Sequence, residues 1–392
     1  MKKLFGMLVI ASLMFSVMPG VFAVDIGTGI EVDIETEDFA PNVWGCFDRV
    51  VEDDNVEPGR FSMGGDELNE RVNNYAFEGE SIMWTVLVMD KNGIQKIEDV
   101  FGTVGDVQGI GNDIEVNCVE SSMTGSVNSS CNARILEEEI TDWDPAVMRY
   151  YDCTLTVETA ESMYGEYWLT VEAVDLDGES GIMAENEYWF LNPVIALSID
   201  GDLIFENVRP GTSSYSETLL VGNDADDSSG VLLDMFISGT DFYDSSSSGA
   251  ACPSTNQLAL ASDSDSDCDL GPEMGGPDAF TDPFCYYATH GSYDTRDDGR
   301  NDAEGYVGIN YGDSFGNAPL GTTDGDWYGT ANGDADGYEI IQDPFFPATA
   351  PYFAGNVLSP GAEMAVTFRL NLPEPCNGDF DTGSIYFWGE AI

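Results

Sequence analysis

Basic residues are almost missing from this sequence. Its 392 residues hold 13 Lys+Arg against 72 Asp+Glu, a formal net charge of −59. Phosphate groups are bound through Lys and Arg, so nucleic acid and anionic membrane surfaces are excluded as partners. Histidine is reduced to His290. An H-E-x-x-H metalloprotease motif is therefore impossible, and no C-x-x-C pair offers a zinc site. No Gly-Lys-Ser/Thr phosphate loop occurs. A Ser-His-Asp arrangement would have to pass through His290, which lies beside Tyr286 and Tyr287 and reads as a surface or packing residue. Carboxylate pairs of the glycosidase kind prove nothing among 72 acids. The expectation is that the chain is not an enzyme. After the first 23 residues no apolar run approaches the length of a membrane span.

The acids that remain define a surface that attracts cations and repels itself at low salt. The N-terminus reads as a secretory signal, Met1–Ala23. Lys2 and Lys3 form its charged end, Leu4–Val17 its apolar stretch, and Val21-Phe22-Ala23 its cleavage site. Removing Lys2 and Lys3 takes the charge from −59 to −61. The mature chain then begins at Val24, and a secreted, extracellular or cell-surface location is expected. Eight cysteines in an exported chain imply disulfides. Four precede Pro193 (Cys46, Cys118, Cys131, Cys153) and four follow it (Cys252, Cys268, Cys285, Cys376). In the first set Cys118–Cys131 across a hairpin mouth is favoured, which leaves Cys46–Cys153. In the second set no pairing is preferred.

The apolar stretch Tyr188–Asp200 organises the chain. Asn192-Pro193 breaks it into Tyr188–Leu191 and Val194–Ile199, the last strand of one domain and the first of the next. The expected fold is all-β: two tandem β-sandwich domains, an immunoglobulin-like one over 24–193 and a jelly-roll-like one over 194–392. The second carries a long, disulfide-pinned insertion over 241–356, rich in Gly, Ser, Asp and aromatics.

Period-2 patterns support strands at several places. Val24–Ile34 alternates, and reads either as the first strand of the first domain or as a free strand that completes a neighbour's sheet. Ile82, Trp84, Val86 and Val88 share one face, as do Ile114, Val116 and Cys118, and Tyr151, Cys153, Leu155 and Val157. GESIMWTVLVMDKNG from Gly79 and GEYWLTVEAVDLDG from Gly165 rhyme, each ending in an Asp-x-x-Gly turn. In the second half Leu203–Val208 leads to a Pro210-Gly211 turn of type II. Tyr215–Val221 follows, then a strand Val231–Ser238 that is apolar on both faces and therefore central. Pro360-Gly361 repeats the turn. Met364, Val366, Phe368 and Leu370 then alternate with Glu363, Ala365, Thr367 and Arg369, and Gly383–Ile392 closes the chain.

Asn207-Val208-Arg209-Pro210-Gly211 before a strand, Asn223 after it, Ser359-Pro360-Gly361 before a late strand, and Gly383-Ser384-Ile385 with Glu390-Ala391 form a recognisable set. Over Ala196–Ser238 and Asn356–Ile392 the chain resembles the TasA/camelysin-like family of secreted β-sandwich proteins, which includes biofilm fibre subunits and archaeal bundling pilins. The resemblance implies a jelly-roll-like domain that polymerises by strand donation. The insertion, the cysteines and the first domain depart from it. The first half resembles generic immunoglobulin-like surface modules.

One local motif carries metal chemistry. Asn332-Gly333-Asp334-Ala335-Asp336-Gly337 matches the opening of a calcium loop, with Asp343 at its twelfth position. Asn332, Asp334, Asp336 and Asp343 are the candidate calcium ligands, with Asp324 and Asp326 nearby. The alternating Asp263, Asp265, Asp267 and Asp269 read as a solvated loop rather than a second site. Asn128-Ser129-Ser130 is the one N-glycosylation sequon. Trp327, Tyr328, Tyr338, Phe345, Phe346, Tyr352 and Phe353 read as the insertion's own core in preference to a sugar-stacking surface.

The first-ranked function is a secreted structural subunit of an extracellular filament or cell-surface layer, with assembly by donation of the N-terminal strand. Its partners would be copies of itself or other cell-surface proteins. The alternative is a monomeric adhesin or glycan-binding module; a secreted hydrolase ranks well below both. An ion that binds only the folded state stabilises it, by ~2.7 kcal/mol at a hundredfold excess over Kd. Millimolar calcium is thus expected to raise the melting temperature more than sodium does at matched ionic strength. Asp334→Ala combined with Asp336→Ala should remove the calcium-specific part of that rise in a thermal-shift measurement.

Overall fold

The computed structural model describes residues 32–52, 73–109, 112, 114–131, 140, 142–183, 187–246, 252, 256–260, 268, 283–296, 301–312, 339–342 and 353–392. Among them the protein is all-β, with one short 3-10 turn at Ile94–Lys96 and no α-helix. The first half contributes β1 (Asn42–Glu52), β2 (Tyr75–Ala76), β3 (Ser81–Met89), β4 (Ile97–Gly105), β5 (Ile114–Glu120), β6 (Met148–Thr156), β7 (Gly165–Asp175), β8 (Ser180–Ile182) and β9 (Glu187–Leu191). They hydrogen-bond in the order β1-β3-β6-β5-β4-β7-β9-β2, with β8 on β7. One core is filled from both ends of that path. Ile82, Trp84, Val86 and Val88 of β3 meet Leu169, Val171 and Ala173 of β7 and Trp189 of β9. Trp84 is accommodated by Gly102 on β4, where a Cβ would come within 3.4 Å of its ring. The opposite face of β3 is also apolar: Leu87 and Met89 pack with Trp44 and Tyr150.

The rhyming turns share one construction. Asp90 and Asp175 are both buried, and each accepts the N–H two residues on, Asn92 at 2.7 Å and Asp177 at 3.0 Å. Gly93 (φ 121°) and Gly178 (φ 91°) close the loops onto the Asp90 and Asp175 carbonyls. The two turns are tied together by Leu176 N–H to Lys96 O at 2.8 Å and by a Lys96–Asp177 ion pair. Burial pushes the Asp90 carboxyl above its usual range, and the Asp175 charge adds to this.

The second half contributes β10 (Leu197–Asp200), β11 (Thr212–Asn223), β12 (Leu233–Gly239), β13 (Phe242–Asp244), β14 (Gln257–Leu258), β15 (Phe284–His290), β16 (Tyr293–Asp294), β17 (Val307–Gly308), β18 (Val357–Leu358), β19 (Glu363–Leu372), β20 (Phe380–Thr382) and β21 (Ile385–Ala391). One sheet runs β10-β11-β19-β15-β16 with β17 on β15; β18-β12-β21 and β14-β13-β20 form two smaller sheets. Met364, Val366, Phe368 and Leu370 of β19 pack with Leu233, Met235 and Ile237 of β12 in one core. Both Pro-Gly pairs make type II turns. Thr212 N–H bonds Arg209 O and Ala362 N–H bonds Ser359 O, with φ at 75° for both Gly211 and Gly361. Asn223 is fully buried at the far end of β11, beside the second turn, where Gly361 N–H bonds its carbonyl at 2.7 Å. Its amide donates to Val231 O and Leu358 O, and its Oδ1 accepts Ala225 N–H.

Several expectations are corrected. The pairing Cys118–Cys131 with Cys46–Cys153 is replaced by Cys46–Cys131 and Cys118–Cys153. Cys118 and Cys153 face each other in register on β5 and β6, with Cα atoms 4.0 Å apart. The chain after β5 does not turn back as a hairpin but carries Cys131 to β1. The second half holds Cys252–Cys376 and Cys268–Cys285. The strand expected at Val194–Ile199 starts only at Leu197, leaving Val194 and Ile195 exposed. Leu203–Val208 is no strand: Leu203, Phe205 and Val208 reach the core, but Asn207 has a positive φ of 56° and no ladder forms. Within 241–356, Phe284–His290 is not peripheral; β15 pairs along β19 in the main sheet. Of Val24–Ile34, residues 24–31 lie outside the described residues, and Val32–Ile34 are in no strand.

Arg369 was expected on the polar face of β19 and is instead completely buried. Its guanidinium donates to Asp302 and, at 3.0 Å each, to Glu304 and Cys268 O, and it lies 4.4 Å from the centre of the Tyr306 ring. One cation thus fastens the Cys268 and 301–306 segments to the central strand. Removing one member of a buried ion pair strands the other, at about 3–5 kcal/mol. Arg369→Met is expected to destabilise by about that much in urea unfolding with disulfides intact, and Asp302→Asn on the same background should recover part of the loss.

Candidate functional site

The candidate calcium ligands Asn332, Asp334, Asp336 and Asp343 lie outside the described residues, as do Asp324, Asp326, Asp263, Asp265, Asp267 and Asp269. Glu339–Gln342, inside the predicted loop, is described. Ile340 and Ile341 are buried in the second core, Ile340 N–H bonds Met235 O at 3.1 Å, and Glu339 bridges to Phe236. This strap lies against β12, which is buried along its whole length.

A carboxylate cluster is formed at that contact. Asp234 of β12 is 0% exposed. Its Oδ1 accepts the Asn356 amide at 2.6 Å, and Asn356 Oδ1 accepts Ile341 N–H at 3.0 Å, so one asparagine ties strap to strand. Asp234 Oδ2 is buried without a hydrogen-bond partner. Glu390 of β21 is its register partner across the ladder, and Glu339, 7% exposed, is adjacent. Burial drives the Asp234 carboxyl well above the carboxylate range, the Glu339 and Glu390 charges push the same way, and the Asn356 hydrogen bond opposes them. Among the described residues no group of three or more His, Cys, Asp or Glu side chains is placed to hold a metal ion. Sequence reading passed over Asp234 because it is one acid among 72, within a strand read as apolar.

The other singled-out residues are scattered. His290 ends β15, with Nδ1 3.2 Å from Gly355 O. Asn128 Oδ1 accepts both the N–H and the hydroxyl of Ser130 at 2.9 Å, in a partly exposed loop next to Cys131. Phe353 packs edge-on against Tyr293, while Trp327, Tyr328, Tyr338, Phe345, Phe346 and Tyr352 lie outside the described residues. Gly312-Asp313-Ser314-Phe315-Gly316 spells G-x-S-x-G, a pattern the sequence reading missed. Its Ser314 also lies outside the described residues.

Two features bear on assembly. The chain divides between Asp38 and Phe39 into two units, and in the first of them Val32 and Ile34 are 71% and 76% exposed. In the second half β10 covers only Leu220–Asn223 of β11, so among the described residues Thr212–Leu219 is laddered on one side only, by β19. Tyr215 on that stretch is exposed.

No protein-family model matches the chain. No curated protein matches it. Among solved structures, the C-terminal domain of the AgI/II polypeptide BspA from Streptococcus agalactiae aligns at 10% identity and a TM-score of 0.25, over 90% of this chain and 97% of that one. Likeness at that level carries no argument about fold or activity, so function has to be reasoned from the residues themselves.

Proposed function

We propose that the chain is a secreted structural subunit of an extracellular filament or cell-surface layer, assembled by donation of its N-terminal strand to a neighbouring copy. The observation that carries this reading is the exposure of Val32 and Ile34, the apolar end of the alternating Val24–Ile34 segment, outside any strand. An apolar alternating segment left in water gains by adding to a sheet whose N–H and C=O groups are unpaired. Among the described residues, the single-sided stretch Thr212–Leu219 of β11 is such an edge. Four disulfides suit a protein that works outside the cell, where oxidising conditions preserve them. The resemblance of the second half to fibre-forming sandwiches points the same way.

Asp25, Glu31 and Asp33 fall on the other face of the segment and would turn to solvent. Like charges on adjacent subunits then oppose assembly, and salt or divalent cations relieve it. Deleting Val24–Glu35 is expected to leave a folded, disulfide-intact monomer that forms no fibres in negative-stain microscopy. Ile30→Asp places a charge on the buried face and should weaken association by about a hundredfold or more, the ~3 kcal/mol cost of an unpaired buried charge. If the deletion abolishes the cooperative melt instead, the strand belongs to its own sandwich and donation is wrong.

A further inference from the structure

We propose that Asp234 carries a proton in the native protein, and that this neutral carboxyl is the lock holding the strap Glu339–Gln342 against β12. Three carboxylates meet at one place. Glu390 is directly across the ladder from Asp234, where like charges destabilise a sheet, and Glu339 lies alongside on the strap. Asp234 and Glu339 are both more than nine-tenths buried. An ionised carboxylate in that position needs a cation or a set of donors, and its burial is otherwise costly.

The protein has few cations to give. After Arg209 the sequence holds only Arg296, Arg300 and Arg369, and no lysine follows Lys96. Arg296 lies over Tyr287 and beside Asp294, while Arg369 is held by Asp302 and Glu304. Asp234 Oδ1 has the Asn356 amide, but Oδ2 has no partner. A proton on Asp234 removes one of the three charges without requiring a cage. It also turns a buried, unpartnered acceptor into a donor.

The strap is the part with most to lose. It is joined to the second core through Ile340 N–H to Met235 O, Ile341 N–H to Asn356 Oδ1 and Tyr286 OH to Ile340 O at 3.0 Å. The Asn356 amide that donates to Asp234 belongs to the same set of bonds. Ionising Asp234 would place two neighbouring buried negative charges across the strap contact, so that contact opens first. The folded state then holds a proton that the unfolded chain has already released. Stability from this group is complete below the ordinary carboxylate range and is lost as pH rises through the raised native value.

The background is favourable for a measurement. Between about pH 6 and about pH 9 ordinary carboxylates are already ionised. His290 is the one side chain of its kind, and among the described residues no cysteine is free. The experiment is thermal melting of the full chain across that range at fixed high salt without divalent cations, with hydrogen exchange on the peptide spanning Glu339–Gln342. The parent should lose about 3 °C or more on going to the alkaline end, with early loss of protection in the strap. Asp234→Asn keeps the Oδ1 acceptor and removes the charge, so its profile should be flat; His290→Asn should behave as the parent. Glu390→Gln, a half-buried and nearly isosteric change, should move the fall to lower pH because one repelling charge is gone. A flat parent profile, a fall that survives in Asp234→Asn, or an unmoved fall in Glu390→Gln would overturn the proposal. So would recovery of the alkaline loss by millimolar calcium in the parent, which would show that a cation rather than a proton balances the cluster.

Discussion

Like-charge repulsion is the constraint against which this fold is built. With 72 acids and 13 basic residues, the surface cannot be neutralised from within. Compactness has to come from apolar burial and covalent closure. Both halves meet this with strand segments buried on two faces, Val86–Met89 of β3 between β1 and β6, and β12 between β18 and β21. Cys46–Cys131 and Cys252–Cys376 close loops of 85 and 124 residues, lengths at which a cross-link restricts the unfolded chain most in the chain-entropy account. One of the scarce cations, Arg369, is buried against Asp302 and Glu304, while Lys96, Arg149 and Arg296 pair nearer the surface.

Acids that do enter the interior are handled in three different ways. Asp90 and Asp175 each turn one oxygen to backbone N–H groups of their own loop, the ordinary use of aspartate in a turn. Asp302 pairs with a guanidinium. Asp234 has no guanidinium: the Asn356 amide and the Met235 N–H favour its anion, and burial together with the Glu339 and Glu390 charges outweighs them. The acidic neighbours on two sides, Glu339 on the strap and Glu390 across the ladder, single out the strap contact.

Much of the fold was legible because alternation is a local property. Ile82, Trp84, Val86 and Val88 face one core as their spacing requires, and so do Met364, Val366, Phe368 and Leu370. Turn chemistry was equally legible at Gly211 and Gly361, since only glycine takes a φ of 75° without strain. What depended on distant partners was not. Leu203–Val208 alternates yet has no ladder, because a strand needs a neighbour and alternation only needs a core. Arg369 occupies a position its pattern marks as polar and outward, and its burial follows from residues 67 and 65 positions away. The disulfides failed for the same reason: nearness in sequence favoured Cys118 with Cys131, while the register of β5 on β6 decided for Cys153. The calcium motif lies almost wholly beyond the described residues, so only Glu339–Gln342 of it met a structural test, and that piece proved to be core.

The joint at Asn192-Pro193, read from sequence as the break between two strands, is held from several directions. Asn192 adopts a positive φ of 50°, and its amide donates to Glu158 O and Met163 O. Asp226 Oδ2 accepts both Val194 N–H and the Tyr164 hydroxyl, and Tyr188 OH reaches Ser228 O. Asn73 donates to Gly230 O, and Tyr75 and Phe190 pack into the core that β12 and β19 build. The contacts that cross to the second half come from three separate segments of the first, at Asn73 and Tyr75, at Tyr164, and at Tyr188 and Phe190, so bending at Pro193 would break several of them together. A proline between two domains often marks a hinge; here contacts cross the joint on several sides, and Phe39–Ile392 forms one compact unit. For the filament or surface-layer subunit proposed above, contacts that cross this joint would limit the freedom that lets successive copies drift out of register.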